Sequence, residues 1–164
     1  VRKNIERSLM DEIEKEIRES IIIGEIMEGK LEVKIQSKEI LEKFLSNRYE
    51  LTYIGDTKAP YDYIAKDSKT GEVIFIKLKT IGKLKFIIYT ENEKEFAERI
   101  TNRYNYWLYV VDLIDKQIRG YLNPFPTKLK LVPIFNNRKY FVYEEIGKAD
   151  EIKNIDNPIK LLFN

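Results

Sequence analysis

The 164-residue chain contains no cysteine and no histidine. Without cysteine there is no disulfide scaffold, no thiol nucleophile and no cysteine-ligated metal site. Without histidine there is no Ser-His-Asp triad, no His-ligated zinc and no imidazole general base. Any catalysis must therefore use carboxylates, lysines, hydroxyls or a hard cation held by carboxylates. Long apolar runs are also missing: Ile21-Ile22-Ile23 falls far short of the roughly 18 residues of a membrane span, and no signal peptide opens the chain. The expectation is a cytoplasmic protein with no membrane partner. Glutamine is confined to Gln36 and Gln117 beside abundant isoleucine, a usage that fits a heat-adapted or AT-rich source. The chain starts at Val1 rather than methionine, as expected of a piece of something larger.

What is present suits one folded domain. Hydrophobic residues make up 43% and aromatics 12%, which excludes a disordered chain. The 29 basic and 27 acidic side chains leave a net charge of +2, too near balance to imply nucleic acid by itself. Their distribution is uneven. Lys116, Arg119, Lys128, Lys130, Arg138 and Lys139 share a stretch without acids, and Glu144, Glu145, Asp150, Glu151 and Asp156 follow it. Such a map is expected either to supply a field on one face or to be a solvated surface.

Ile5, Leu9, Ile13 and Ile17 recur every four residues and predict a helix over 2–20. Gly24 and Gly29 bracket a break, and a second helix is predicted from Glu32 to Ser46, burying Ile40, Leu41, Phe44 and Leu45. The period then changes to two. Strands are predicted over Leu51–Ile54, Tyr61–Ala65, Val73–Thr80 and Lys85–Tyr89, with Asp67-Ser68-Lys69-Thr70-Gly71 closing a hairpin between the second and third. Thr90 and Glu93 form a capping box that opens a helix over 91–102. Tyr106–Asp112 is the most hydrophobic strand and so the central one; Lys116–Leu122 returns beside it. Asn123-Pro124-Phe125-Pro126 ends regular structure before a last strand at Tyr140–Tyr143. The order implies an α/β or α+β domain with a mixed central sheet flanked by helices. Residues 1–30 are read as an N-terminal helix and linker, and 31–164 as the α/β domain.

The informative stretch is Tyr61-Asp62-Tyr63, a hairpin, then Ile76-Lys77-Leu78-Lys79. It resembles the PD-(D/E)XK nuclease superfamily, in which an Asp, a hairpin and a (Glu/Asp)-x-Lys strand form the core. More narrowly the chain resembles the NO VEIN-type C-terminal domain found after helicase cores. The ordered counterparts are Tyr61-Asp62-Tyr63, Thr70-Gly71-Glu72, Ile76-Lys77-Leu78-Lys79, Asn92-Glu93, Tyr106-Trp107-Leu108-Tyr109-Val110-Val111 and Asn123-Pro124, spanning about residues 32–125. The resemblance implies a restriction-endonuclease-like fold. In active relatives, two carboxylates and a backbone carbonyl hold Mg²⁺ or Mn²⁺, which polarises the phosphate and generates hydroxide, while the lysine orients the nucleophile. By strand parity Val73, Phe75, Lys77 and Lys79 share one face, and Ile74, Ile76 and Leu78 the other.

The chain departs from that pattern at its costliest position: Lys77 stands where the family has Glu. An ammonium cannot ligate a cation; two unit charges about 4 Å apart repel by roughly 4 kcal/mol at an effective dielectric of 20. Glu72 has the wrong parity to substitute. Glu39, on the second helix, stands where the superfamily often supplies an extra carboxylate, so Asp62 and Glu39 are the expected metal residues and Asp62, Lys79, Lys77 and Glu39 the remnant catalytic set. Lys77, Lys79, Lys83, Lys85, Lys128 and Lys130 are the expected phosphate contacts.

Structural readings stand beside these. Asp62 pairs with Lys77 or Lys79, the lysines guard an edge strand, Glu93 serves its capping box, and Trp107, Tyr106 and Tyr109 are core. Tyr61 and Tyr63 are expected to pack on the face opposite Asp62. The leading expectation is a nuclease-fold domain with a degraded site that binds or docks nucleic acid, DNA in the first instance, within a helicase-associated or defence protein. No bound cofactor is expected, with Mg²⁺ or Mn²⁺ required only if the site is active. The alternatives are a weak metal-dependent endonuclease and a structural protein-interaction domain.

Overall fold

A computed structural model describes residues 8–15, 17–18, 31–55, 58–81, 87–133 and 139–155. Residues 8–15 and 17–18 are helical, with Leu9 and Ile13 exposed and Ile17 buried. The rest of the expected first helix, and Lys85 and Phe86 of the expected fourth strand, lie outside the described residues.

Helix α1 (Leu31–Leu45) presents Leu41 and Leu45, one turn apart, fully buried, with Ile40 and Phe44 beside them. Strands β1 (Tyr49–Tyr53), β2 (Tyr63–Asp67) and β3 (Val73–Ile81) form an antiparallel meander. The β2–β3 turn has the expected chemistry. The Asp67 carboxylate accepts from the Lys69 and Thr70 amides at 2.7 and 2.9 Å, and Gly71 takes φ +76°, a conformation that costs a residue with a Cβ.

From β3 the chain crosses through β4 (Ile88–Thr90) and helix α2 (Glu91–Ile100) to β5 (Asn105–Asp112), which pairs parallel to β3. A parallel pair needs such a crossover, and the capping box at Thr90 starts its helix. Strand β6 (Gln117–Leu122) returns antiparallel to β5, so β5 is interior and every residue from Tyr106 to Asp112 is buried. Strands β7 (Leu129–Pro133), β8 (Tyr140–Glu145) and β9 (Glu151–Asn154) follow. The six-stranded sheet has the order β1-β2-β3-β5-β6-β9, and the strand and helix of the crossover sit on one side of it. This is the mixed α/β sheet with flanking helices that the sequence predicts.

Two clusters mark the two faces. Leu41 and Leu45 of α1 pack with Ile74, Ile76, Trp107, Tyr109 and Ile118. On the other face Ala97 of α2 packs with Tyr106, Leu108, Val110 and Tyr121. A second sheet, of order β4-β8-β7, closes that side with Tyr89, Leu129 and Phe141.

Strands β7 and β9 are additions to the expected elements. Strand β9 has one aliphatic residue, Ile152, and that is 61% exposed, so it carries no alternating apolar signal. The edge is held by polar contacts instead: Arg48 reaches Glu151 bidentately at 2.7 and 2.9 Å. The basic and acidic stretches also meet. Lys128 Nζ lies 2.6 Å from Asp150, and Lys130 stands opposite Glu144 in the β7–β8 register. These charges oppose one another locally rather than forming a basic face.

Gly120 on β6 lies under the buried Tyr109 ring, where an added Cβ would approach Cε1 to 2.6 Å. Tyr109 is itself stacked on Trp107 at 5.3 Å and cannot yield freely. Gly120→Ala is expected to destabilise the fold by about 1–3 kcal/mol, the usual cost of overpacking. A urea unfolding midpoint that does not move would contradict this packing.

Candidate functional site

The site forms where the backbone at the start of β2 meets the second half of β3. Asp62 immediately precedes β2. Its amide donates to the Ile76 carbonyl at 2.8 Å, and its carbonyl accepts from Ile54 at 2.7 Å. Both bonds fix the residue between β1 and β3, and its Oδ2 then accepts from the Leu78 amide at 2.7 Å. The carboxylate thereby takes over a strand donor beyond the last β2–β3 partner, Tyr63 opposite Ile76.

Strand parity places the two lysines as predicted. Ile74, Ile76 and Leu78 join the α1 cluster, whereas Phe75 joins the α2 cluster and Lys77 and Lys79 point the same way. Lys77 Nζ lies 2.7 Å from Glu93 Oε2 and 3.4 Å from Asp62 Oδ2. Lys79 Nζ reaches both Glu93 oxygens, at 3.1 and 3.0 Å, and lies 5.1 Å above the Tyr89 ring. The four side chains are 11–19% exposed and carry two positive and two negative charges. The unit is electrically closed.

Glu93 is the member that sequence reasoning assigned to capping alone. It does cap: Thr90 Oγ1 accepts from the Glu93 amide and Glu93 Oε1 accepts from the Thr90 amide, at 3.2 and 3.0 Å. Its carboxylate also neutralises both lysines. The signal was topological. A crossover from β3 to the adjacent parallel β5 carries the helix N-terminus back over β3, and two same-face lysines require a counter-charge there. Burial alone would raise the Glu93 carboxyl, but the ammoniums of Lys79 and Lys77 overcome it and hold it down at about 2. For Lys77, burial is outweighed by Asp62 and Glu93, so its ammonium is stabilised. For Lys79, burial together with the neighbouring Lys77 wins over Glu93, and its value is lowered.

The remaining expected site residues are dispersed. Glu39 is exposed on α1, the helix that covers the opposite face of the sheet through Leu41 and Leu45, so it does not join Asp62. Helix phase explains this: with Leu41 turned into the sheet, position 39 faces solvent. Lys128 bonds to Asp150 and donates to the Leu122 carbonyl at 2.7 Å, a structural tie rather than a free cation. Lys130 is exposed on β7, opposite Glu144. Lys83 and Lys85 lie outside the described residues. Tyr63 packs in the α1 cluster as expected, but Tyr61 does not share its face: its ring stacks on Phe96 of α2 at 4.9 Å. It precedes β2, where strict alternation does not yet apply.

The residues do not fit the divalent ion that the resemblance implies. Among the described residues no group of three acidic side chains is placed to hold a metal. The two carboxylates that converge, Asp62 and Glu93, already share the Lys77 ammonium.

An α/β domain with an Asp, a hairpin and a lysine-bearing strand, followed by a capped crossover helix, defines the class. The family model for the C-terminal region of Protein NO VEIN matches residues 35–121, more than half of the chain, and the chain belongs to that family. A search of curated proteins returns no match. Among solved structures, Hjc of Archaeoglobus fulgidus, a Holliday junction resolvase from an archaeal hyperthermophile, aligns over 66% of this chain and 87% of its own, with 12% identity and a TM-score of 0.45. No helix among the described residues is long and apolar enough to cross a membrane.

Two outcomes follow from the ion-pair geometry. Glu93→Ala strands the Lys79 ammonium and leaves Lys77 only Asp62, and is expected to cost roughly 3–5 kcal/mol, with part recovered on adding Lys79→Met. Equal unfolding midpoints for wild type and Glu93→Ala would contradict the network. The pH dependence has a definite sign. Because the folded carboxyl sits at about 2 against an ordinary 4.5, its stabilisation is complete above about pH 4.5 and drains as pH falls towards 2. Urea titrations should show that acid-side loss in wild type and its attenuation in Glu93→Gln.

Proposed function

We propose that this is a nuclease-like domain that binds or docks nucleic acid, DNA in the first instance, without cleaving it. It would act as a module of a larger helicase-associated or defence protein. The observation that carries the reading is the Lys77 ammonium, 2.7 Å from Glu93 and 3.4 Å from Asp62. It occupies the position between two carboxylates that metal-assisted phosphodiester hydrolysis needs for a cation with open coordination sites. A lysine supplies the positive charge but can neither acidify a bound water nor exchange ligands. What the site retains is shape and rigidity: Asp62 is clamped by backbone on two strands, and Glu93 by its helix cap.

Phosphate binding falls to cations outside the closed unit. Lys130, exposed on β7, and Lys83 and Lys85, which follow Lys79 in the chain, remain the candidates in this reading. Such contacts give affinity without sequence readout and fall steeply with salt. Lys77 and Lys79 support the site from within.

The test pairs cleavage with metal binding. Wild type is expected to leave supercoiled plasmid intact with Mg²⁺ or Mn²⁺ while shifting DNA in a salt-sensitive manner. Lys77→Glu exchanges the internal cation for a third carboxylate and is expected to acquire Mn²⁺ affinity that wild type lacks, read by calorimetry. Nicking by wild type that disappears in Asp62→Ala would overturn the reading. DNA binding absent at low salt would leave a protein-interaction domain.

A further inference from the structure

Beside the closed ion-pair unit, on the same face of β3, lies a strip of aromatic rings. Phe75 stands two residues before Lys77, and Tyr61 immediately precedes Asp62. The Tyr61 ring stacks on Phe96 at 4.9 Å and 25°, and Phe75 meets both rings edge-on, at 4.9 and 5.7 Å. Tyr104 continues the line, 5.4 Å from Phe75 at 76°. The inner three rings are half-buried, whereas Tyr104 at the outer end is 45% exposed.

Past Tyr104 the strip opens into a shallow cleft of about 360 Å³ lined by Glu72, Val73, Asn102, Arg103, Tyr104 and Asn105. Two of its polar groups are already committed. Asn105 Nδ2 donates to Glu72 at 2.7 Å, and Asn105 Oδ1 accepts from Asn123 at 3.0 Å. Glu72 keeps its negative charge but is held at the cleft wall by that neutral donor. Asn102 and Arg103 are exposed, as is Arg99 one turn earlier, and the side chains of Asn102 and Arg103 make no hydrogen bond or ion pair among the described residues. An exposed aromatic ring beside an uncommitted guanidinium and a free amide is the chemistry that engages unpaired bases and their phosphates. In a duplex those base faces are already stacked and cannot reach the strip.

We infer that the Tyr61–Phe96–Phe75–Tyr104 strip and its terminal cleft bind single-stranded nucleic acid, a base stacking on Tyr104 with a flanking phosphate on Arg103. This inference rests on the nucleic-acid reading above and specifies its substrate class. Tyr104 is the contact residue; Phe75 meets its ring and is itself backed by Phe96, and both double as the rim of the α2 cluster.

Fluorescence anisotropy with labelled oligo(dT) and a matched duplex tests it, at one fixed salt concentration. Tyr104→Ala is expected to weaken oligo(dT) binding about tenfold, within the range for loss of one stacked base. Tyr104→Trp should preserve binding, and neither change should alter duplex affinity by more than about twofold. Replacing the thymines with abasic sites should abolish the difference between wild type and Tyr104→Ala. Equal losses on both ligands, or none, would overturn the strip as a base platform, as would duplex binding by wild type without oligo(dT) binding. If wild type binds neither ligand, the nucleic-acid reading itself falls with it.

Discussion

A single ammonium between two carboxylates organises this molecule. Lys77 on β3 has Asp62 on one side and Glu93 on the other, and each acid also accepts from a backbone donor: Leu78 on Asp62, Thr90 on Glu93. Lys79 completes the balance through the second Glu93 oxygen. A buried charge survives only when paired and hydrogen-bonded, and here that requirement joins the β2 approach, the β3 strand and the start of the crossover helix. Losing one partner would leave an uncompensated charge on the same face as the α2 cluster.

The consequence for function follows from what an ammonium lacks. A divalent ion at this point would exchange ligands and lower the pKa of a bound water; a tethered lysine offers only a fixed charge, already engaged by the two acids. The hairpin, the parallel β3–β5 pair and the capped helix frame the site, and in the proposed reading the reactive element is replaced by an internal counter-ion. Any nucleic-acid contact then depends on surfaces around the closed unit, of which the aromatic strip ending at Tyr104 joins an exposed ring to the exposed Arg103.

Much of the fold was legible in the sequence because its strongest periodic signals sit in its most buried parts. The run from Tyr106 to Val111 is apolar on both faces because β5 lies inside the sheet, and the Thr90–Glu93 spacing marked the helix start to the residue. Strand β9 was illegible, since an edge strand held by Arg48–Glu151 needs no apolar alternation. The facing of Lys77 and Lys79 could be read from parity, but their shared partner could not. Glu93 had a sufficient local explanation as a cap, and only the three-dimensional return of α2 over β3 shows its second role. Glu39 lies away for two reasons that the sequence did not show: its helix covers the opposite face of the sheet, and helix phase turns it to solvent. The basic and acidic stretches, which the sequence left open as a field or a solvated surface, meet in space at Lys128–Asp150.

The central claim is that the cation between Asp62 and Glu93 is the protein's own. A crystal grown in manganese, with data collected at a wavelength where that metal scatters anomalously, tests it most directly. The account predicts ordered density for the Lys77 side chain reaching Glu93, with no anomalous peak between the two carboxylates. A strong manganese peak there, with Lys77 turned away, would contradict it.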